Sequence, residues 1–313
     1  MSRRASLYLM AFATVVLWGA SFPLTKAALE WVGPTAIAFL RWSISAVALF
    51  AWLARCGRLG EAWALLRSQT FRVWWVALTG IALFYFLENS ALRFTTATNA
   101  GVLSNLTSVF IALLAALWLR ERPRAIEWGA MATAFAGAAL VSQGAGHLAL
   151  GSTGWLGDGM MIVATLFAAL YSIGGKKLVE AYAAEVVLAD VALVGAALLL
   201  PLTIWEANGP TGLAAFLHLP ASAWLALLLL GLGAGALANI WWLRILGATT
   251  AARAGMVLFL IPIVSTLIAV FALGESLTLL MVIGGGLVLL GVALVERDRA
   301  NSRGNHDQDH GSH

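Results

Sequence analysis

The sequence predicts an all-α integral membrane protein whose ten transmembrane helices form two inverted five-helix repeats. Three observations carry this. First, of 313 residues 61% are hydrophobic and only 11% charged, whereas a soluble domain averages about 25% charged. Second, the charges gather in short segments separated by apolar runs of about 20 residues, long enough to cross a hydrocarbon core of about 30 Å. Third, the stretch from Leu92 to Glu121, LRFTTATNAGVLSNLTSVFIALLAALWLRE, returns at Leu246 to Glu275 as LGATTAARAGMVLFLIPIVSTLIAVFALGE. At a constant shift of 154 residues, 11 of these 30 positions are identical, including both Thr-Thr-Ala triplets, both Ala-Gly pairs and the closing Glu121 and Glu275. The shift also places Gly137 on Gly291 and Ala139-Leu140-Val141 on Ala293-Leu294-Val295. A β-barrel would need alternating segments of about ten residues, and none is visible.

In chain order, the apolar runs place spans at about 6–29, 35–54, 73–92, 97–119, 125–143, 155–177, 186–206, 222–243, 250–272 and 278–296. The first follows Ser2-Arg3-Arg4 as a signal peptide would, but no small-residue cleavage site ends it, so it reads as an uncleaved span. With the N-terminus cytoplasmic, the inner segments collect 16 of the 19 Lys and Arg residues, leaving only Lys26, Arg41 and Arg93 on or near the outer side. The positive-inside rule is met, and both termini are expected in the cytoplasm. Five spans is an odd number, so the second copy enters from the opposite face and the halves are inverted. The expected division is residues 1–146, residues 147–297 and a disordered cytoplasmic tail, 298–313, with the glycine-rich segment from Gly144 to Gly159 as the joint. Inverted repeats with a site near the midplane are the architecture of many secondary transporters.

Polar residues inside spans are the first candidates for function, because each is expensive there. Arg41 and Glu88 lie at similar outer depths, either as an ion pair or with Arg41 free to bind a carboxylate and Glu88 to serve coupling. Asn89, Asn99, Ser104, Asn105, Thr107 and Ser108 form a polar stripe that either joins helices or lines a cavity. Pro23 removes a backbone hydrogen bond from the first span near Trp18 and Ser21, and Tyr171 and Ser172 stand near the corresponding place in the sixth, so paired interruptions could mark a site. Pro262 should kink span nine, where its repeat partner is Ser108. Most of the 14 Trp residues read as interfacial anchors. Trp18, Trp42, Tyr85, Tyr171, Trp241 and Trp242 fall deeper, as cavity lining or as core. Gly231, Gly233, Gly235 and Gly284 to Gly286 allow close helix approach, and Glu121 and Glu275 read as caps of the helices that follow them.

Other classes find little support. The only cysteine is Cys56, no histidine lies in a span, and neither HExxH nor a Walker loop occurs. No metal, cofactor or ATP hydrolysis is implied, and the basic balance belongs to span flanks, not to nucleic acid. An intramembrane lipid-modifying enzyme would have almost only Glu88 and Asp190 as buried acids, and a channel would need a filter signature that neither half shows.

The WGxxF segment at Trp18, the ALRFTTATNAGVL segment at Ala91 and the acidic residue closing spans four and nine resemble the drug/metabolite transporter superfamily, specifically its EamA-type members. The resemblance covers about residues 6 to 296. It implies a ten-helix inverted-repeat carrier in a bacterial inner membrane, often an exporter of amino acids or other metabolites, and the chain looks most like the aromatic amino-acid exporter branch. Ser108 stands where the family's first half often has proline, and Ala168 where its sixth span often has tryptophan, so those positions transfer less well. On this reading the partners are the bilayer and a small solute, the chain is a monomer, and the alternative solute is a nucleoside or drug-like cation. Trp18, Trp42, Tyr85, Tyr171 and Trp241 are expected to meet the solute's side chain, and Ser21, Asn99, Ser104 and Asn105 its polar ends.

Overall fold

The computed structural model describes residues 3–95, 100, 103–121, 123–144, 155–208, 216, 218–264, 267 and 277–309, and no strand occurs among them. The elements are α1 (Arg3–Ala28), α2 (Pro34–Arg55), α3 (Leu59–Ser68), α4 (Thr70–Ala91), α5 (Leu106–Trp118), α6 (Ala125–Gly144), α7 (Trp155–Val179), α8 (Ala184–Glu206), α9 (Ala221–Ala248), α10 (Ala251–Val264) and α11 (Leu279–Asp309). Every expected span has its helix. Six, namely α1, α2, α4, α7, α8 and α9, are apolar over a membrane-spanning length, and α5, α6, α10 and α11 contain shorter apolar stretches. The short α3 is the addition. It carries Glu61 and Arg67 on an amphipathic turn and continues the charged connection between the second and third spans.

One expectation about the ends changes. The tail beyond residue 297 was expected to be disordered, yet α11 continues to Asp309. Extending an existing helix needs no new nucleus, so polar residues can follow an apolar span without a break. Of the expected joint, Gly144 to Gly159, the first residue ends α6 and residues 155–159 open α7, while residues 145–154, like Glu275, lie outside the described residues.

The repeat is visible in how the helices pack, because equivalent helices meet each other: α2 with α8, α5 with α10, α6 with α11. The α2–α8 pair runs antiparallel, as its end contacts prove. Glu206 at the end of α8 accepts the backbone N–H groups of Thr35 and Ala36 and the Thr35 hydroxyl at the start of α2. At the opposite end Arg58, just past α2, meets Glu185 in the first turn of α8 at 2.9 Å. Each helix start is thus held by a charge from the end of its partner.

The α6–α11 pair shows the same symmetry at backbone level. A Cβ on Gly137 would fall 2.5 Å from the Gly284 carbonyl oxygen, and one on Gly291 would fall 2.6 Å from that of Ala130. The 154-residue shift carries Gly137 to Gly291 and Ala130 to Gly284, so this is one contact made twice about a two-fold axis. In lipid, where no hydrophobic force drives helices together, close backbone approach is a principal source of association.

The helix irregularities also come in a pair, though not where the prolines suggested. α1 runs through Pro23 without interruption. Instead α4 contains a π-helical segment, Leu78–Leu83, and α9 contains another, Leu229–Leu237, at equivalent places in the two repeats. A further irregularity, a 3-10 turn at Val257–Leu260 in α10, ends two residues before Pro262. This accords with a proline that cannot donate to the preceding turn.

The α6–α11 contact generates a prediction. Gly137→Leu should lower stability by about 1–3 kcal/mol, the usual cost of overpacking, read as a fall in melting temperature of the detergent-solubilised protein. Gly285→Ala, facing open space, should leave it unchanged. Equal melting for both would remove the close contact from the account of the fold.

Candidate functional site

A central cavity lies where α1, α2, α4 and α5 of the first repeat face α7, α9 and α10 of the second. The cavity and its mouth, open solvent included, hold about 680 Å³ free of protein atoms. Its walls are mostly apolar, with Trp18 and Phe22 on α1, Phe84 and Tyr85 on α4, Tyr171 on α7 and Trp242 on α9.

The two π segments support the walls, Gly80 of the first lining the cavity itself and the second bonding lining residues through its carbonyls. Wide turns free backbone carbonyls that a regular helix would consume, and in α9 these are used by side chains. The Ala234 carbonyl accepts both the Trp18 indole N–H at 3.1 Å and the Asn239 amide at 2.9 Å. The Gly231 carbonyl accepts the Ser45 hydroxyl at 2.8 Å. In α4, Gly80 makes room for the Tyr171 ring, against which any Cβ at that position would collide.

A polar layer closes the cavity towards the C-terminal ends of α7 and α9. The Tyr171 hydroxyl donates to Asn239 Oδ1 at 3.1 Å, and the Trp242 indole donates to the Ser172 hydroxyl at 3.2 Å. Trp18 stands edge-on to Trp242 with ring centroids 5.6 Å apart. One turn further along α7, Lys176 bonds Glu121 at 3.1 Å and donates to the Leu246 and Thr249 carbonyls. Glu121 also accepts the Ala251 N–H at the start of α10. Here the cap expectation is corrected: Glu121 caps α10 of the other repeat, not its own following helix α6, because the antiparallel α5–α10 packing brings that helix start closer. The start of α6 is served by Glu127, which accepts the Arg124 N–H and pairs with Arg253 at 2.8 Å. Still further out, Glu185 joins Arg58 and Arg244, and the Arg58 guanidinium holds the exposed Glu61 carboxyl below the usual carboxylate range.

Of the expected site residues, Trp18, Ser21, Arg41, Tyr85, Glu88, Ser104 and Tyr171 line the cavity together. Trp42 does not. It is 1% exposed and packs edge-on behind Tyr85, at 5.4 Å. Trp241 is outside the lining while its neighbour Trp242 is inside, since adjacent helical residues point about 100° apart. Asn105 is fully buried and is not a lining residue, and Asn99 lies outside the described residues. The polar stripe on α5 therefore divides: Ser104 and Thr107 face the cavity, whereas Ser108 donates to the Gly255 carbonyl of α10 at 2.7 Å. Asn89 likewise serves packing, donating to the Pro34 carbonyl. Asp190 is buried in α8, away from the cavity lining.

The anticipated Arg41–Glu88 ion pair is not formed. Both residues line the cavity, but among the described residues no carboxylate comes within 4.0 Å of the Arg41 guanidinium. The guanidinium lies instead over the face of Tyr85, 4.5 Å from the ring centroid. Sequence reasoning missed Asn239, the lone amide in an apolar span and three residues from Trp242 on the same helix face. That isolation was the available signal.

The floor of the cavity gives a second prediction. Tyr171→Phe deletes the hydroxyl that serves Asn239 Oδ1, and an unsatisfied buried acceptor costs about 1–3 kcal/mol. Melting in detergent should drop accordingly, and an unchanged transition would mean that Asn239 finds another donor.

Comparison with known proteins fits this geometry. The model of the EamA-like transporter family matches twice, over residues 5–143 and 155–297. A protein of Streptantibioticus cattleyicolor named a probable terminal-alkyne amino-acid exporter is 28% identical over 91% of this chain and 91% of its own length. A protein of Archaeoglobus fulgidus named an uncharacterized transporter is 27% identical, covering 92% of this chain and 96% of its own. A solved crystal structure superposes with a TM-score of 0.74 at 24% identity, over 94% of this chain and 97% of its own, and shows the same fold. With its doubled helical repeat and its family match across nearly the whole length, the chain belongs to the EamA-like transporter family.

Proposed function

We propose that this transporter exports small neutral amino acids, aromatic ones foremost, across the bacterial inner membrane, with both termini in the cytoplasm. The observation that carries the reading is the central cavity, which draws Trp18, Tyr85 and Ser104 from the first repeat and Tyr171, Asn239 and Trp242 from the second. A site shared between inverted repeats can be opened to either side by exchanging their conformations. The halves that exchange are residues 1–146 and 147–297, working within a single monomer. Aromatic walls suit an aromatic side chain, and the amino-acid exporter named among the relatives points to the same solute class. The Lys176–Glu121 contact is the closure on the cytoplasmic side in this state. Transport runs down the solute gradient without an ion.

A drug-like cation is the second reading. Glu88 facing the cavity favours it, and the Arg41 guanidinium in the same cavity opposes it.

Counterflow in liposomes containing only this protein tests the proposal. Preloaded with unlabelled amino acid and given no ion gradient, the vesicles should accumulate labelled phenylalanine or tryptophan, and ionophores should not change the rate. Uptake that appears only with a proton gradient would end the uncoupled mechanism, and silence with every amino acid would end the solute assignment. Trp242→Ala should cut phenylalanine counterflow about tenfold, the equivalent of losing one aromatic contact of ~1.4 kcal/mol, while alanine counterflow changes little.

A further inference from the structure

We propose that Arg41 and Glu88 are held apart as the two halves of a zwitterion clamp, Arg41 receiving the substrate carboxylate and Glu88 its ammonium group. This rests on the amino-acid reading of the cavity and adds the residues that select for it.

Two opposite charges in one mostly apolar cavity would be expected to close on each other, since a buried charge is stable only when compensated. Here they do not. Arg41 is 2% exposed, and its Nε has no hydrogen-bond partner. The backbone of α2 at this point is fixed from behind. Ser45 donates to the Arg41 carbonyl at 2.9 Å and to the Gly231 carbonyl at 2.8 Å, and Gly231 and Gly235 let α9 lie directly against this turn. The guanidinium is parked on the Tyr85 face, and that ring is set by Trp42 and Phe84, each edge-on to it. Glu88 follows Tyr85 by three residues on α4, one turn further along the same face. The arrangement keeps a cation and an anion in one cavity with no direct contact between them.

A substrate carrying both charges completes both. Its carboxylate meets a guanidinium suited to bidentate contact, its ammonium meets the Glu88 carboxylate, and the filled cavity is neutral. The side chain then points to the uncharged wall of Trp18, Phe22 and Trp242. A solute with one charge leaves the other protein charge uncompensated, so the clamp discriminates by exclusion as well as attraction.

The test pairs ring content with charge content. Phenylalanine, alanine, phenethylamine and 3-phenylpropanoate are offered as competitors of phenylalanine counterflow in liposomes, and as stabilisers of the detergent-solubilised full chain against heat. In the native protein the amine-only and acid-only compounds should compete at least about tenfold more weakly than phenylalanine, a gap of roughly 1.4 kcal/mol. Glu88→Gln should narrow the gap for 3-phenylpropanoate alone, and Arg41→Gln for phenethylamine alone. Native protein that accepts either single-charge compound as well as phenylalanine overturns the clamp, as do variants that leave the order of preference unmoved. Thermal stabilisation separates this from the export reading. Zwitterions that stabilise without being transported would keep the clamp and sink export. Phenylalanine transport without charge discrimination would do the reverse. Should either variant fail to fold, the four-compound comparison on native protein decides alone.

Discussion

In hydrocarbon every backbone amide must find its partner inside the protein, and both the regularity of this molecule and its departures from regularity follow from that. Most of the chain satisfies the constraint within single helices. Where the helices widen, at Leu78–Leu83 and Leu229–Leu237, carbonyls become available, and the second segment assigns them to Trp18, Asn239 and Ser45. The bonds from Trp18 and Ser45 tie α1 and α2 of one repeat to α9 of the other beside the cavity. An irregularity that would be a liability in an isolated span thus becomes the means of joining the halves.

The two-fold relation between the repeats is kept where packing is tightest and broken where chemistry differs. Gly137 with Gly284 and Gly291 with Ala130 are one contact repeated, because only a position without a side chain lets two backbones approach so closely. Ser108 and Pro262 occupy equivalent positions but behave differently. The serine spends its hydroxyl on the Gly255 carbonyl, while the proline, which has no N–H, follows a 3-10 turn. Repeats that had to exchange roles while remaining chemically identical would form a symmetric cavity. These differences allow an asymmetric one, with Arg41 and Glu88 both contributed by the first half and the amide and indole of Asn239 and Trp242 by the second.

The polar groups of the cavity floor are matched among themselves: Tyr171 with Asn239, and Ser172 with Trp242. Against that background the separation of Arg41 from Glu88 is informative. The protein places a ring, not a carboxylate, against its buried guanidinium, so the two charges of the cavity are not spent on direct contact with each other.

Periodicity and composition alone determined the helical class, the number and order of the spans and the existence of the repeat, because a bilayer imposes a length and an apolarity that each segment must meet by itself. Depth along a span was legible for the same reason, and it brought Trp18, Ser21, Tyr85, Ser104 and Tyr171 to notice as candidates. Rotation about a helix axis was not. Whether Trp241 or Trp242 faces the cavity, whether Asn105 or Ser104 does, and whether Arg41 finds Glu88 or Tyr85 all depend on which neighbour lies against each face. Only the tertiary structure decided those, since a helix in isolation presents every direction equally and its partners come from other helices far along the chain.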